Sequence, residues 1–276
     1  MLGNYSAFKE KTFDISKLRT TCRFRFDVME AKTKLKIQLV CCLDLVFPEL
    51  NKFFKNNLHL KVCYALLSKY SSPLEISKVN INTLTNLLKK HSKGRYSEEK
   101  SRELKALAKE SIGVNNPAIA TQIKYIINQL NLLETQMKSI DNDIKQIMDE
   151  INSPILTIPG IGYTLGAIIV SEIGDISRFS NPSKLLAFAG LDPSVKQSGN
   201  FNASNTRISK RGSKYLRYAI YRAAFLIIWN NEQFYNYYTA KRAEGKPHRN
   251  ALGHVSGKLV KVIYKVLSDN IPFKLS

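Results

Sequence analysis

The sequence predicts an all-α protein, and two observations carry that prediction. Between Ile119 and Ile151, aliphatic and methionine side chains recur at spacings of four and three residues without a break. This repeat is typical of the a and d positions of a coiled coil. Strand-like alternation is not sustained anywhere, although Leu191–Arg207 can contain one short strand pair. We therefore expect a long coiled-coil hairpin followed by a C-terminal helical domain.

Two partners are available to the helix that carries the heptad repeat. A helical stretch without Gly or Pro runs from Ile15 to Phe47, with Asp14 as its N-cap and Pro48 after its end. The two helices can form an antiparallel hairpin within one chain, or the repeat can pair with another protomer and make a homo-oligomer. The predicted domains are a lead-in at 1–16, a coiled-coil region at 17–152 with a small helical subdomain inserted at about 50–115, and a second domain at 153–276.

A short glycine-containing turn separates two helical runs within Ile155–Asp175. Pro159 cannot continue a helix, because it lacks an N–H group and clashes with the preceding turn. Gly160 and Gly162 let the backbone approach a phosphate, and the free N–H groups at the start of the next helix point toward it. This order predicts a helix-hairpin-helix DNA-binding element with Gly160, Ile161 and Gly162 as its contacts. The alternative is an ordinary corner between two helices.

A long polar loop and a basic helix follow the glycine turn. Leu191–Arg211 is rich in Ser, Asn and Gly, and a loop of this length is uncommon unless it is functional or disordered. Cations at i, i+4 and i+7 mark the start of the helix predicted over 213–229. They form one stripe that suits phosphate contacts, and the alternative is a solvated face. The residues of this stripe are Lys210, Lys214 and Arg217.

The charge balance indicates a polyanionic partner. Lys and Arg number 42 and Asp and Glu 22, and the resulting formal charge of +20 is spread along the chain. A folded protein this basic most often binds nucleic acid, although a merely basic soluble protein is the alternative. The cysteines and histidines show no metal-ligand spacing, so we expect no structural zinc and thiols suited to a reducing cytosol. No apolar run approaches the roughly 20 residues of a membrane span.

Four sequence motifs occur in register. The chain contains PGIG with a following EIGD, then FAGLDPSVKQSG, then ISKRGSKYLR, and near its end ALGHVSGKLVKVIYKVL. In this order they resemble the C-terminal transposase domain of the insertion-sequence one-ten family, which includes the Piv-type DNA invertases. The earlier LRTTCRFRFDVMEAKTKLKIQLVCCLDLVFPEL resembles the start of that family's coiled-coil region. The resemblance therefore covers nearly the whole chain from Leu18 onward.

The resemblance implies a DNA recombinase. Family members combine an N-terminal RuvC-like domain carrying a DEDD set of metal-binding carboxylates, a coiled coil, and a C-terminal domain with a nucleophilic serine. Several are guided by a structured bridge RNA that pairs with target and donor DNA. The serine is expected in the Ser-Gly pair after the GLxP segment, which is Ser198 here, with Ser194 as the runner-up. Arg207, Lys210 and Arg211 lie nearby in sequence and can neutralise phosphate charge.

Two departures from the family pattern shape the expected function. The usual Ser-Gly-Gly is Ser-Gly-Asn here, with Asn200 in third place, and no spaced set of carboxylates in Met1–Val114 replaces the RuvC-like domain. We therefore expect a truncated or split transposase of an insertion sequence, built for serine-nucleophile strand exchange. The chain would hold no cofactor, with Mg²⁺ needed only together with the acidic domain. Alone, it would bind nucleic acid without exchanging strands.

Two other functions fit the same sequence. The chain can be a non-catalytic nucleic-acid-binding remnant or coiled-coil partner of a full-length transposase, or a purely structural coiled-coil protein. Salt-dependent binding to nucleic acid separates the last of these from the others. The expected partners are DNA, a structured guide RNA where one exists, and a second copy of the chain through the coiled coil, but no membrane. The expected location is the cytoplasm, in association with the nucleoid.

Overall fold

The computed structural model describes residues 3–193, 197–198, 201–202 and 208–274, and places side chains in these ranges except at 3–13, 197–198 and 201–202. Helices dominate, which confirms the predicted all-α class. Their bounds are α1 Gly3–Val46, α2 Glu49–Phe53, α3 Lys61–Lys69, α4 Pro73–Lys78, α5 Ile81–His91, α6 Glu98–Lys109, α7 Pro117–Ile151, α8 Tyr163–Ile173, α9 Pro182–Phe188, α10 Lys214–Asn230, α11 Glu232–Ala243 and α12 His248–Asp269, with 3-10 turns at Pro154–Thr157 and Ile176–Arg178.

One short strand pair accompanies the helices. The strand β1, Gln197–Ser198, pairs antiparallel with β2, Phe201–Asn202. It lies inside the polar segment where the sequence allowed a short pair. The start of α1 differs from the prediction, because the helix begins at Gly3 rather than near Ile15. The residues before Ile15 include Ala, Lys and Glu, which favour a helix, and contain no Pro after Gly3 to stop it.

The chain divides into two compact units. The terminal unit contains Met1–Arg25 and Ser139–Ser276, and the middle unit contains Phe26–Lys138. Both α1 and α7 contribute residues to each unit. Among the helices of the described residues, none combines the length and the apolarity needed to cross a membrane.

In the middle unit, α1 and α7 run antiparallel. Lys32 of α1 forms an ion pair with Glu134 of α7. At the other end, the backbone N–H of Val114 donates to the carbonyl oxygen of Leu45 at 2.9 Å. A Cβ at Gly113 would lie 1.9 Å from the carbonyl oxygen of Val46, so this approach requires glycine. Helices α2 to α6 pack around a core that includes Leu39, Phe47, Leu50, Phe54, Leu66, Leu67, Ile76, Leu84, Leu88 and Leu104.

The predicted heptad seam is buried in both units. In the middle unit its buried residues are Ile123, Ile126 and Leu130, and in the terminal unit they are Ile140, Ile144 and Ile147. The seam residues that lie between these groups in sequence, at 133 and 137, are half-buried. Coiled-coil packing and pairing with a second protomer stay predictions.

In the terminal unit, α10 packs against three other helices. It contacts α8, α11 and α12. Small side chains on its inner face, Ala219, Ala223 and Ala224, are fully buried and allow neighbouring helices to come close. Its outer face remains in solvent, and that face adjoins the polar segment described next.

Candidate nucleic-acid interface

The two ends of the long polar segment are held together by backbone hydrogen bonds. The Ser209 N–H donates to the Asp192 carbonyl oxygen at 2.8 Å, and the Lys210 N–H donates to that of Gly190 at 3.1 Å. Pro193 and Ile208 form an antiparallel bridge beyond these bonds. We call Gly190–Pro193 and Ile208–Gly212 together the stem. The strand pair that contains Ser198 therefore belongs to a segment closed at its base.

Two glycines allow the stem to pack against the end of α9. Gly190 has φ of +65°, and a Cβ there would lie 2.4 Å from the Arg211 carbonyl oxygen. Gly212 has φ of +112°, and its Cβ would lie 2.1 Å from the Phe188 carbonyl oxygen. Neither the backbone angle nor the space admits a side chain. The path of the chain from the stem into α10 is therefore set by the backbone.

A cation-rich groove lies where the stem meets α10. Its volume is about 400 Å³, and its lining combines cations, tyrosines and two aliphatic side chains, without an acidic residue. The lining residues are Leu191, Ile208, Lys214, Arg217, Tyr218, Tyr221 and Arg222. Arg217 also donates to the Ala189 carbonyl oxygen at 3.3 Å, which fixes its guanidinium at the stem. Such a lining suits a phosphate-bearing ligand with an apolar or aromatic part.

The start of α10 is fixed by Ser213 and a buried carboxylate. The Ser213 hydroxyl oxygen accepts from the Leu216 N–H at 3.1 Å as the N-cap of α10, and the hydroxyl donates to Glu172 Oε2 at 2.8 Å. The Glu172 side chain is only 3% exposed. Arg23 of α1 donates to both of its carboxylate oxygens, at 2.8 and 3.2 Å. Through Arg23 and Ser213, the Glu172 carboxylate links α8 to α1 and to the start of α10.

The surroundings of Glu172 keep it charged. Burial acts to raise the pKa of the Glu172 carboxyl, but hydrogen bonds from Arg23 and Ser213 and the charges of Arg23 and Arg19 bring that pKa below its ordinary value. Arg19, one turn before Arg23 on α1, donates to the Ser171 carbonyl oxygen at 2.7 Å. The Arg23 guanidinium also lies 5.1 Å from the centre of the Tyr215 ring. Two arginines of α1 thus hold the last turn of α8.

The predicted contacts of the glycine turn, Ile158–Gly162, have different environments. Gly160 has φ of +84°, and a Cβ there would lie 3.0 Å from Leu226 Cβ of α10. Ile161 is buried. Gly162 is exposed, with nothing within 4 Å of an added Cβ, and it precedes α8 without a side-chain cap. A helix-hairpin-helix contact with DNA stays a prediction, and Gly162 and the N–H groups after it are the accessible part of it.

The other predicted residues lie at the stem or beyond the described residues. Lys210, Arg211 and Lys214 are exposed at the stem and the start of α10, together with the half-buried Arg217. Arg207 and Ser194 lie outside the described residues. Ser198 lies in β1 opposite Phe201, and its side chain is not described. The glycine turn meets α10 near Leu226, about 18 Å along the helix axis from Lys214. The stem cations therefore lie together near the start of α10, whereas the glycine turn contacts α10 near its end.

Sequence analysis missed Glu172 and its partners as functional residues. The signal was present, because Glu172 interrupts the apolar run of α8, and a buried carboxylate needs a cationic partner. Tyr218, Tyr221 and Arg222, which continue the same face of α10, were also not predicted. Over the ranges that the structure describes, no three or more His, Cys, Asp or Glu side chains are grouped so as to hold a metal ion.

Comparison with known proteins defines the class of this site. Residues 152–239, which include α8, α9, α10 and most of α11, match the family model described as Transposase IS116/IS110/IS902 family. This segment is therefore similar to the domain of a transposase family, and the stem and its groove lie within it.

The similar proteins include members of the family that the motifs indicated. The chain is 25% identical over 258 residues to an uncharacterized protein of insertion element IS116 from Streptomyces clavuligerus, covering 92% of this chain and 64% of the relative. It is 23% identical to an uncharacterized protein of insertion element IS110 from Streptomyces coelicolor, covering 89% of this chain and 61% of that one. A pilin gene-inverting protein from Moraxella bovis is 28% identical over 69% of this chain and 58% of its own length.

The predicted resemblance to the insertion-sequence one-ten family is thus confirmed, and it extends over most of the chain. The chain spans less than two thirds of the length of these relatives.

Proposed function

We propose that the chain is a DNA-binding transposase or recombinase of an insertion sequence, acting in DNA transposition. The observation that carries the proposal is the groove of cations and tyrosines at the stem, inside the segment that matches the transposase family. A groove of this lining suits the DNA backbone, because cations neutralise phosphates while aromatic faces contact sugars and bases. The names of the relatives, which include a gene-inverting protein, support a reaction on DNA.

We further propose Ser198 as the nucleophile. Its hydroxyl would lose a proton and form a bond to phosphorus, while the phosphorus–oxygen bond of the DNA strand breaks and leaves a free hydroxyl end. The stem supports this role, because it joins the strand pair of Ser198 to the exposed cations Lys210, Arg211 and Lys214, which would stabilise charge on the attacked phosphate. The described residues offer no carboxylate cluster for Mg²⁺, so we assign no step to a metal held by this chain.

Three further features belong to the proposal. A structured guide RNA and a second copy of the chain, paired through the heptad repeat of α7, are its proposed partners. Within the middle unit α7 contacts α1 of the same chain, so pairing with a second copy needs its own test. Sedimentation or light scattering would measure the oligomeric state. We place the protein with the nucleoid in the cytoplasm.

Two measurements test this function. First, we expect duplex DNA to bind with a strong salt dependence, and a slope of log K against log salt near zero would remove the DNA proposal. Second, a plasmid recombination assay with purified protein, guide RNA and Mg²⁺ tests the nucleophile. Products that are lost in Ser198→Ala and kept in the matched control Ser194→Ala would support Ser198 as the nucleophile, and would overturn the expectation that the chain alone does not exchange strands. Binding without products, in the presence of a full-length relative that does react, would instead favour a non-catalytic partner.

A further inference from the structure

The outer face of α10 continues the groove as a row of two cations and four aromatic rings. Side chains at 214, 218, 221, 222, 225 and 229 fall within one arc of about 100° around the helix. They are Lys214, Tyr218, Tyr221, Arg222, Phe225 and Trp229. We call this row the α10 track. Its length from 214 to 229 is about 22 Å.

Two of the four rings of the α10 track are exposed, and the other two, Tyr221 and Phe225, are half-buried. Trp229 is 66% exposed and Tyr218 is 39% exposed. The helix that carries them, KYLRYAIYRAAFLIIWN, contains no acidic residue. Aromatic rings that are grouped on one face of a cationic helix indicate a binding surface.

Rings from α11 and α12 hold the far end of the α10 track in place. The Tyr235 ring lies 6.2 Å from that of Trp229. The His248 ring meets Phe225 edge-on at 6.3 Å, and His248 Nδ1 is hydrogen-bonded to the Tyr238 hydroxyl at 2.7 Å. Rings fixed in this way lose little conformational entropy when a base stacks on them.

We propose that the α10 track binds an unpaired DNA strand, with its bases stacked on the exposed rings and its phosphates beside Lys214 and Arg222. The inference rests on the proposed DNA function and specifies the form of DNA that this face takes. A surface that combines cations with aromatic faces suits a single strand, because its phosphates are charged and its bases are free to stack on a ring. In a duplex the bases are stacked on one another, so their faces cannot reach a ring on a helix surface. The stem end of the α10 track would lead the strand toward the segment that carries Ser198.

The single tryptophan of the chain makes the α10 track directly observable. We expect a short single-stranded DNA oligonucleotide to quench Trp229 fluorescence, and the same oligonucleotide annealed to its complement to leave it nearly unchanged. Unchanged emission at saturating single strand would overturn the inference.

Substitution tests the energetics, with a labelled oligonucleotide as the reporter. We expect Trp229→Ala to weaken single-strand binding by about 5- to 100-fold, Trp229→Phe to weaken it less, and duplex affinity to stay the same. Tyr125→Ala, which removes an exposed ring from the middle unit, is the matched control and should change neither.

The outcomes separate this inference from the proposed function. If duplex DNA binds and Trp229→Ala leaves single-strand affinity intact, the inference fails while the DNA function stands. If the chain binds neither form of DNA, the proposed function fails. Binding of the ribose oligonucleotide tenfold more tightly than the deoxyribose one would overturn DNA as the occupant.

Discussion

The glycine turn and the stem both contain glycines with positive φ, yet they use them differently. In the glycine turn, Gly160 brings the backbone against Leu226, and the neighbouring Ile161 is buried. In the stem, Gly190 and Gly212 bring backbone against backbone. Gly190 lies between the buried Ala189 and Leu191, whereas Gly212 follows the exposed cations Lys210 and Arg211. A glycine indicates a close approach but does not say what approaches. The burial of its neighbours decides whether it serves packing or leaves a surface free for a ligand.

The largest expected effect is on the network that fixes the end of the stem. We expect Glu172→Ala to lower the free energy of unfolding by about 2–3 kcal/mol, because Arg23 and Ser213 lose a buried charged partner. Urea denaturation measures the change. The matched control is Glu134→Ala, which removes an exposed carboxylate from an ion pair with Lys32 and should cost about 1 kcal/mol or less. Equal losses in the two variants would contradict a special role for the buried pair.

The same network predicts a pH dependence. Because the folded state lowers the pKa of Glu172, its contribution to stability is fully present above the ordinary carboxyl value of 4.5 and is lost as pH falls through the lower folded pKa. The difference in unfolding free energy between the wild type and Glu172→Gln should therefore shrink below pH 4.5. A difference that stays constant through acid titration would show that the carboxylate charge is not what stabilises the fold.

The second effect separates packing from surface in the glycine turn. We expect Gly160→Ala to lower the free energy of unfolding by about 1–2 kcal/mol or more, because alanine is strained at positive φ and its Cβ meets Leu226. Gly245→Ala is the matched control, since Gly245 has φ of +79° and open space around it. A loss in Gly160→Ala no greater than in Gly245→Ala would remove the packing explanation.

The third effect concerns the surface of the stem. We expect Lys214→Gln to reduce duplex DNA affinity several-fold and to lower the slope of log K against log salt by about 0.9, while stability stays within about 0.5 kcal/mol. Fluorescence anisotropy across a salt series gives both quantities. Lys265→Gln, an exposed lysine near Asp269, is the control and should leave the slope unchanged. A slope that does not change in Lys214→Gln would show that this lysine does not contact a DNA phosphate.

The smallest effect tests the accessible part of the glycine turn. Gly162→Ser supplies the missing N-cap of α8 and should raise stability by a few tenths of a kcal/mol. If the backbone there approaches a phosphate, the same change should weaken duplex binding, because a side chain then stands between them. A more stable protein with unaltered DNA affinity would contradict the helix-hairpin-helix contact.

The parts of the fold that the sequence predicts are those set by local patterns. The heptad repeat predicts α7, and the proline and glycines near 160 predict the break before α8. The sequence also allows the short strand pair within the polar segment, because that segment is flanked by turn residues.

The parts that the sequence does not predict depend on long-range contacts. Glu172 and Arg23 are separated by 149 residues, so no local pattern pairs them. The aromatic row of α10 shows the same limit. Its period identifies a helix face, but only the burial of the opposite face shows that Tyr218 and Trp229 are exposed.

The composition of the terminal unit has a consequence for protein engineering. This unit is discontinuous in sequence, so a fragment that starts after Ser139 would lack Arg19 and Arg23 and leave Glu172 without its partner. The two segments nevertheless end side by side, because Arg25 is paired with Asp141 at 2.6 Å. A variant in which a short linker replaces the middle unit would keep the contacts of Arg19 and Arg23 with α8. In this sense the middle unit is an insertion in the sequence of the terminal unit, whose buried Glu172 depends on Arg23 of α1.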